Sequence, residues 1–152
     1  LETAFTAAIP GLLAHLAQAP TTMIHGDFRA DNLVFDAAGA VAAFDFQLIG
    51  TGSGSYDLAY FVTQSLEVEL AASAERSLFE RWTQGLVAGG VPEVDLDRLW
   101  EDYRKAALFC LVYPIVASRG MDLGDRRQRG LVECMLRRFD RAVGQLSLAE
   151  LL

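Results

Sequence analysis

Between residues 21 and 46 the hydrophobic period of this chain changes, and that change limits the architectures open to it. Upstream, Phe5, Ile9, Leu12, Leu13 and Leu16 repeat at helical spacing, which predicts a helix over 2–18, ended by Pro20 and kinked or split at Pro10-Gly11. Residues 21–24, 33–35 and 41–46 read instead as short strands. The segment Asp36-Ala37-Ala38-Gly39 is turn chemistry that joins the last two into a hairpin. Gly50 to Ser55 reads as a flexible loop, and helical patterns follow over 56–66, 69–88, 96–118 and 124–144, with a terminal turn at 147–152. Asp95 suits an N-cap, and Ser147 with Glu150 has capping-box spacing. The expected fold is mainly α with a small β-hairpin near its start. A sheet of five or more strands has no place in it.

The 152 residues, 52% hydrophobic and 22% charged, suit a single folded domain over 1–152. A net charge of −7 argues against nucleic acid and anionic membrane as partners, because both need basic surface. The longest apolar run, 106–117, contains Pro114 and is too short to span a bilayer. Cys110 and Cys134 have neither metal-ligand spacing nor a disulfide framework around them. They read as reduced thiols in a cytoplasmic setting. The first residues lack a basic region and a cleavage pattern. The start at Leu1 rather than Met suggests a piece of something longer.

Chemistry concentrates in His25-Gly26-Asp27-Phe28-Arg29-Ala30-Asp31-Asn32, a loop between two strands. Downstream, Asp45 stands between Phe44 and Phe46. A carboxylate among apolar strand residues needs a cation, a hydrogen-bond network or solvent. Asp27, Asn32 and Asp45 together form an oxygen set of the kind Mg²⁺ takes alongside phosphate oxygens, in the order a kinase uses for base and metal. Each residue also has a plainer reading. His25 can be structural packing, Asp57 a first-turn helix acid, Arg29 a solvated charge and Asp31 a turn residue. The glycines at 50–54 do not complete a dinucleotide fingerprint, since its third glycine would fall on Ser55. Arg126, Arg127, Arg129, Arg137 and Arg138 read as a solvated or salt-bridged helix face. Trp100, Tyr103 and Phe109 read as core.

The loop resembles the HGDxxxxN motif of the aminoglycoside phosphotransferase and choline kinase superfamily, relatives of the protein kinases. Asp45-Phe46-Gln47 is similar to that family's counterpart of the kinase DFG segment, and Ser55-Tyr56-Asp57-Leu58-Ala59-Tyr60 resembles its helix-opening DLA signature. The combination looks closest to the ecdysteroid-kinase-like branch and its bacterial relatives. The resemblance covers residues 21–63. It implies that Asp27 takes the proton of an acceptor hydroxyl, that Asn32 and Asp45 hold Mg²⁺ on ATP, and that Arg29 contacts phosphate or substrate. It further implies that His25 supports the loop and that Asp57 binds its amides from below.

The resemblance also implies a second lobe with a phosphate-covering loop and a strand Lys. Only 24 residues precede His25, they read as helix, and the sole Lys, Lys105, lies on a later helix. The chain is therefore expected to be a protein-kinase-like C-terminal lobe with the N-terminal lobe absent. Its expected cofactors are ATP and Mg²⁺, and its expected substrate is a small-molecule alcohol. An apolar docking face left bare would favour a homodimer of the fragment. Two other readings stand beside this one. One is a catalytically silent binding module derived from such a lobe. The other is a metal-dependent hydrolase, which would be short of ligands with only His15 and His25.

Overall fold

The computed structural model describes residues 2–91 and 95–152. Helix α1 (Glu2–Gln18) leads into strand β1 (Thr21–Ile24). The loop after β1 ends in a 3₁₀ turn (Ala30–Asn32). Strands β2 (Leu33–Phe35) and β3 (Val41–Ala43) follow, then a second 3₁₀ turn (Phe46–Leu48) and β4 (Gly50–Ser53). The remainder is helical: α2 (Gly54–Ser65), α3 (Val68–Ala88), α4 (Leu96–Phe109), α5 (Val112–Gly120), α6 (Arg126–Gln145) and a 3₁₀ turn (Leu148–Leu151). The β residues form two separate antiparallel pairs, β1 with β4 and β2 with β3. The domain is thus mainly helical with small antiparallel sheets. No helix among the described residues is long and apolar enough to cross a membrane.

The core gathers around α4. Tyr103, Ala106, Ala107 and Leu108 pack there with Phe5 and Leu12 of α1, Ala59 of α2, Phe79 of α3 and Phe139 and Ala142 of α6. The alanines at 59, 106 and 107 are fully buried and allow α2 and α4 to approach closely. Burying Phe5 and Phe79 contributes about 1.5–3 kcal/mol each. Trp100 and Tyr103 belong to this core, with the Trp100 and Phe79 rings 4.8 Å apart. Polar ties cross the same helices. Buried Glu75 accepts from the Tyr103 hydroxyl and from Arg141 Nη1, each at 2.6 Å. His15 Nε2 lies 2.6 Å from the buried Asp102 carboxylate, and Lys105 Nζ lies 3.1 Å from His15 Nδ1.

Several local expectations change. Helix α1 runs through Pro10 without splitting. Pro10 and Gly11 face solvent while Phe5 and Leu12 hold the helix to the core on either side, so one lost backbone bond is tolerated. The 96–118 stretch is two helices, broken at Cys110–Leu111. The Pro114 ring would collide with the carbonyl four residues back, that of Cys110, so the chain turns there. Strand β3 stops at Ala43 rather than Phe46. Residues 50–53 form a paired strand instead of a flexible loop, in register Thr21 opposite Ser53 and Ile24 opposite Gly50. Gly52 packs under Ile24 there: a Cβ would sit 2.9 Å from Ile24 Cδ1, so the end of that side chain would have to shift. Asp95 does cap α4, accepting from the Arg98 N–H at 3.0 Å. Ser147 has a left-handed φ of 50° and makes no side-chain cap. Arg104 closes that turn instead, donating to the Leu146 carbonyl at 2.8 Å.

Candidate active site

The loop after β1 is held from below by Asp57, in the first turn of α2. Its two carboxylate oxygens accept from the backbone N–H groups of His25 at 2.7 Å and Gly26 at 3.0 Å. Gly26 adopts φ +83°, and a Cβ there would meet the Leu48 carbonyl oxygen at 2.4 Å. Only glycine lets the loop cross so close to the second 3₁₀ turn. The buried His25 ring works from the other side. The Asp27 N–H donates to Nδ1 at 3.3 Å, so Nδ1 is the unprotonated nitrogen. Nε2–H therefore donates to the Phe44 carbonyl at 2.9 Å. Phe46 tilts against the same ring at 4.6 Å. One imidazole thus joins the loop to the strand end that carries Asp45.

Asp27 is nearly buried. Its Oδ2 accepts from Asn32 Nδ2 at 3.0 Å, and the same nitrogen donates to the Asp27 carbonyl at 2.9 Å. Arg29 Nε stands 3.4 Å from Asp27 Oδ1, and Arg29 also reaches toward Asp31 at 3.9 Å. Both Arg29 and Asp31 are exposed. Burial first, then the nearby Asp27 carboxylate, pushes the Tyr60 phenol well above the usual tyrosine range.

Asn32 and Asp45 are brought together by the backbone: the Phe44 N–H donates to the Asn32 carbonyl at 3.1 Å. Asp45 itself is left-handed, with φ 62° and ψ 56°. Asp is one of the few side chains that tolerate this region, and such conformations collect at functional sites. Its side chain is exposed and has no partner among the described residues, so solvent meets the need for compensation. With Asn32 Nδ2 committed to Asp27, Asn32 Oδ1 is left without a protein donor. An amide oxygen and a free carboxylate on neighbouring backbone fit a hard cation such as Mg²⁺, which keeps few protein ligands. Among the described residues no three His, Cys, Asp or Glu side chains cluster as a metal site.

The sequence reading gave Tyr60 and Tyr113 no role at this site. Tyr60 lies one helical turn beyond Asp57 on α2, so both reach the same loop, and that spacing was the available signal. Tyr113 of α5 packs on Tyr60 with ring centroids 4.5 Å apart. The Tyr56 and Tyr113 hydroxyls share a short hydrogen bond, and Tyr56 also reaches the Gly26 carbonyl at 3.5 Å. Nothing in the local pattern placed α5 here.

The loop thus sets the Asp27 carboxylate beside the Asn32 amide, with the exposed Asp45 carboxylate on backbone neighbouring Asn32. No curated protein matches the chain. The model of the phosphotransferase enzyme family matches residues 2–109, well over half of the sequence, and the chain belongs to that family.

Proposed function

We propose that this chain is the base- and metal-bearing lobe of an ATP- and Mg²⁺-dependent phosphotransferase that acts on a small-molecule hydroxyl. The observation that carries this reading is the Asn32–Asp27 contact, with Asp45 next in sequence to the residue whose N–H binds the Asn32 carbonyl. Asn32 binds the Asp27 carboxylate through its nitrogen and keeps its oxygen free, and the Phe44–Asn32 backbone bond sets Asp45 beside it. Asp27 orients the acceptor hydroxyl and takes its proton as the oxygen attacks the γ-phosphorus, while the bond from that phosphorus to the bridging oxygen breaks and ADP leaves. Asn32 and Asp45 would hold the cation, which would neutralise charge on the phosphates. Arg29, exposed at the lip of the site, can swing from Asp27 to a phosphate oxygen. His25 and Asp57 keep the loop in place.

The other half of the phosphate cage belongs, on this reading, to an N-terminal lobe. Lys105 is engaged with His15 and with Glu101 on α4, away from the loop, and cannot serve as the phosphate lysine. Exposed Val34, Phe35, Val41, Phe44 and Phe46 offer the face that such a lobe would cover. The engaged lysine also favours a second reading, a catalytically silent binding module. The two separate by experiment. The 152-residue chain alone should bind ATP no better than millimolar, roughly 4 kcal/mol, and turn over negligibly. In a full-length parent screened against small-molecule alcohols, Asp27→Asn should cut turnover by orders of magnitude with nucleotide binding intact, and Asp45→Asn should weaken Mg·ATP binding too. Micromolar ATP binding by the isolated chain, or full turnover with Asp27→Asn, defeats the proposal.

A further inference from the structure

The loop that carries Asp27 and Asn32 is gripped at both ends by one helix. Asp57, in the first turn of α2, holds the His25 and Gly26 N–H groups. Ser65, the last residue of α2, holds the other end: its Oγ accepts from the Ala30 N–H at 2.9 Å. Ala30 opens the 3₁₀ turn that ends in Asn32, and the Asn32 N–H closes that turn on the Arg29 carbonyl at 2.9 Å. The two grips stand about 12 Å apart along the helix axis, so α2 sets the span of the loop.

Ser65 is itself seated from α6. The last carbonyls of a helix have no partner within it, and a cation suits them. Arg138 supplies donors and charge together: Nη1 donates to the Gln64 carbonyl, and Nη2 to the Ser65 carbonyl at 3.1 Å. Its side chain is only 15% exposed, and its approach to the exposed Glu67, at 3.6 Å, is the weaker contact. A planar guanidinium on two successive carbonyls leaves the Ser65 backbone little freedom, and Oγ is fixed with it.

We infer that Ser65, seated by Arg138, is a positioning residue for Asn32: it pins the start of the 3₁₀ turn, so that the amide keeps Nδ2 on Asp27 and Oδ1 free for the cation. This rests on the reading of Asn32 as a cation ligand. With the Ala30 N–H released, Asp57 still holds His25 and Gly26, so the displacement falls on the turn and on Asn32 rather than on the whole loop.

The test uses three variants. Ser65→Ala removes the acceptor, Ser65→Thr keeps a hydroxyl there, and Arg138→Lys keeps the charge without reaching both carbonyls in one plane. In the 152-residue chain, amide exchange at Ala30 and Asn32 should accelerate severalfold in Ser65→Ala and Arg138→Lys and return toward wild type in Ser65→Thr, with His25 and Gly26 unchanged. In the full-length parent, the Mg²⁺ concentration that half-saturates ATP binding, followed by calorimetry, should rise about tenfold in Ser65→Ala, the low end for groups that orient a metal ligand. Unchanged exchange at Ala30 in Ser65→Ala overturns the inference. So does acceleration of all four amides together, which marks a general loss of stability, and so does an unmoved Mg²⁺ midpoint where Asn32→Ala raises it. Unchanged exchange in Arg138→Lys alone removes Arg138 from it. A midpoint that Asn32→Ala leaves in place sinks the metal reading of Asn32 and the inference with it. Exchange at Ala30 then shows whether the contact itself was right, so the two failures are told apart.

Discussion

Gly26→Ala tests whether the loop after β1 depends on its close crossing of the second 3₁₀ turn. The added Cβ would lie 2.4 Å from the Leu48 carbonyl oxygen and 3.0 Å from Leu48 Cβ, where ordinary contact begins at 3.4 Å. The obstacle is backbone, so the loop must move by about 1 Å to reach ordinary contact. The φ of +83° adds strain of its own. Left-handed strain costs about 1–2 kcal/mol and overpacking about 1–3 kcal/mol, together about 2–5 kcal/mol. At this chain length that corresponds to a fall in Tm of about 4–20 °C. Gly39 is the internal control. It has φ +84° in the hairpin turn but nothing within 4 Å of its Cβ position, so Gly39→Ala carries the strain without the collision. Urea unfolding followed by circular dichroism should rank Gly26→Ala well below Gly39→Ala, with equal m-values. In a full-length parent, displacing Asp27 by about 1 Å should cost on the order of 100-fold in turnover. If Gly26→Ala is no less stable than Gly39→Ala, the reasoning about the crossing is wrong.

Two further outcomes are expected. Asp57→Ala strands the His25 and Gly26 N–H groups, each an unsatisfied donor costing about 1–3 kcal/mol. Amide exchange at both should accelerate ahead of global unfolding, and unchanged exchange would count against the fork described above. All four tyrosines, Tyr56, Tyr60, Tyr103 and Tyr113, are pushed upward, chiefly by burial. The folded state therefore keeps phenol protons that the unfolded chain begins to lose near pH 10. Stability is fully present below that pH and declines above it, by at most about 1.4 kcal/mol per pH unit per tyrosine, less for partly exposed rings. Phenolate absorbance should rise together with loss of ellipticity, and phenolate appearing near pH 10 in a still-folded chain would refute it.

What the sequence determined by itself was whatever depends on neighbours within a turn or a few residues. The hairpin at 33–43 was legible because Asp36 and Gly39 carry turn chemistry, and the Asp36 carboxylate does accept from the N–H groups of Ala38 and Ala40 at 2.9 and 2.8 Å. Asp95 was legible as a cap for the same reason, and so was the grouping of His25, Asp27 and Asn32 in one loop. The break at Cys110 lay within reach too, since Pro114 marks it. Strand β4 was not legible. Its glycines have no strand preference of their own, and pairing with β1 and the space under Ile24 make it a strand. The packing of Tyr113 on Tyr60 was hidden as well, because the two stand far apart along the chain. Backbone hydrogen bonds and caps act over short separations and leave marks in spacing. The placement of α5 against α2 comes from burial of apolar surface, which is non-directional and names no partner in advance, so only the packed tertiary structure decided which rings meet there.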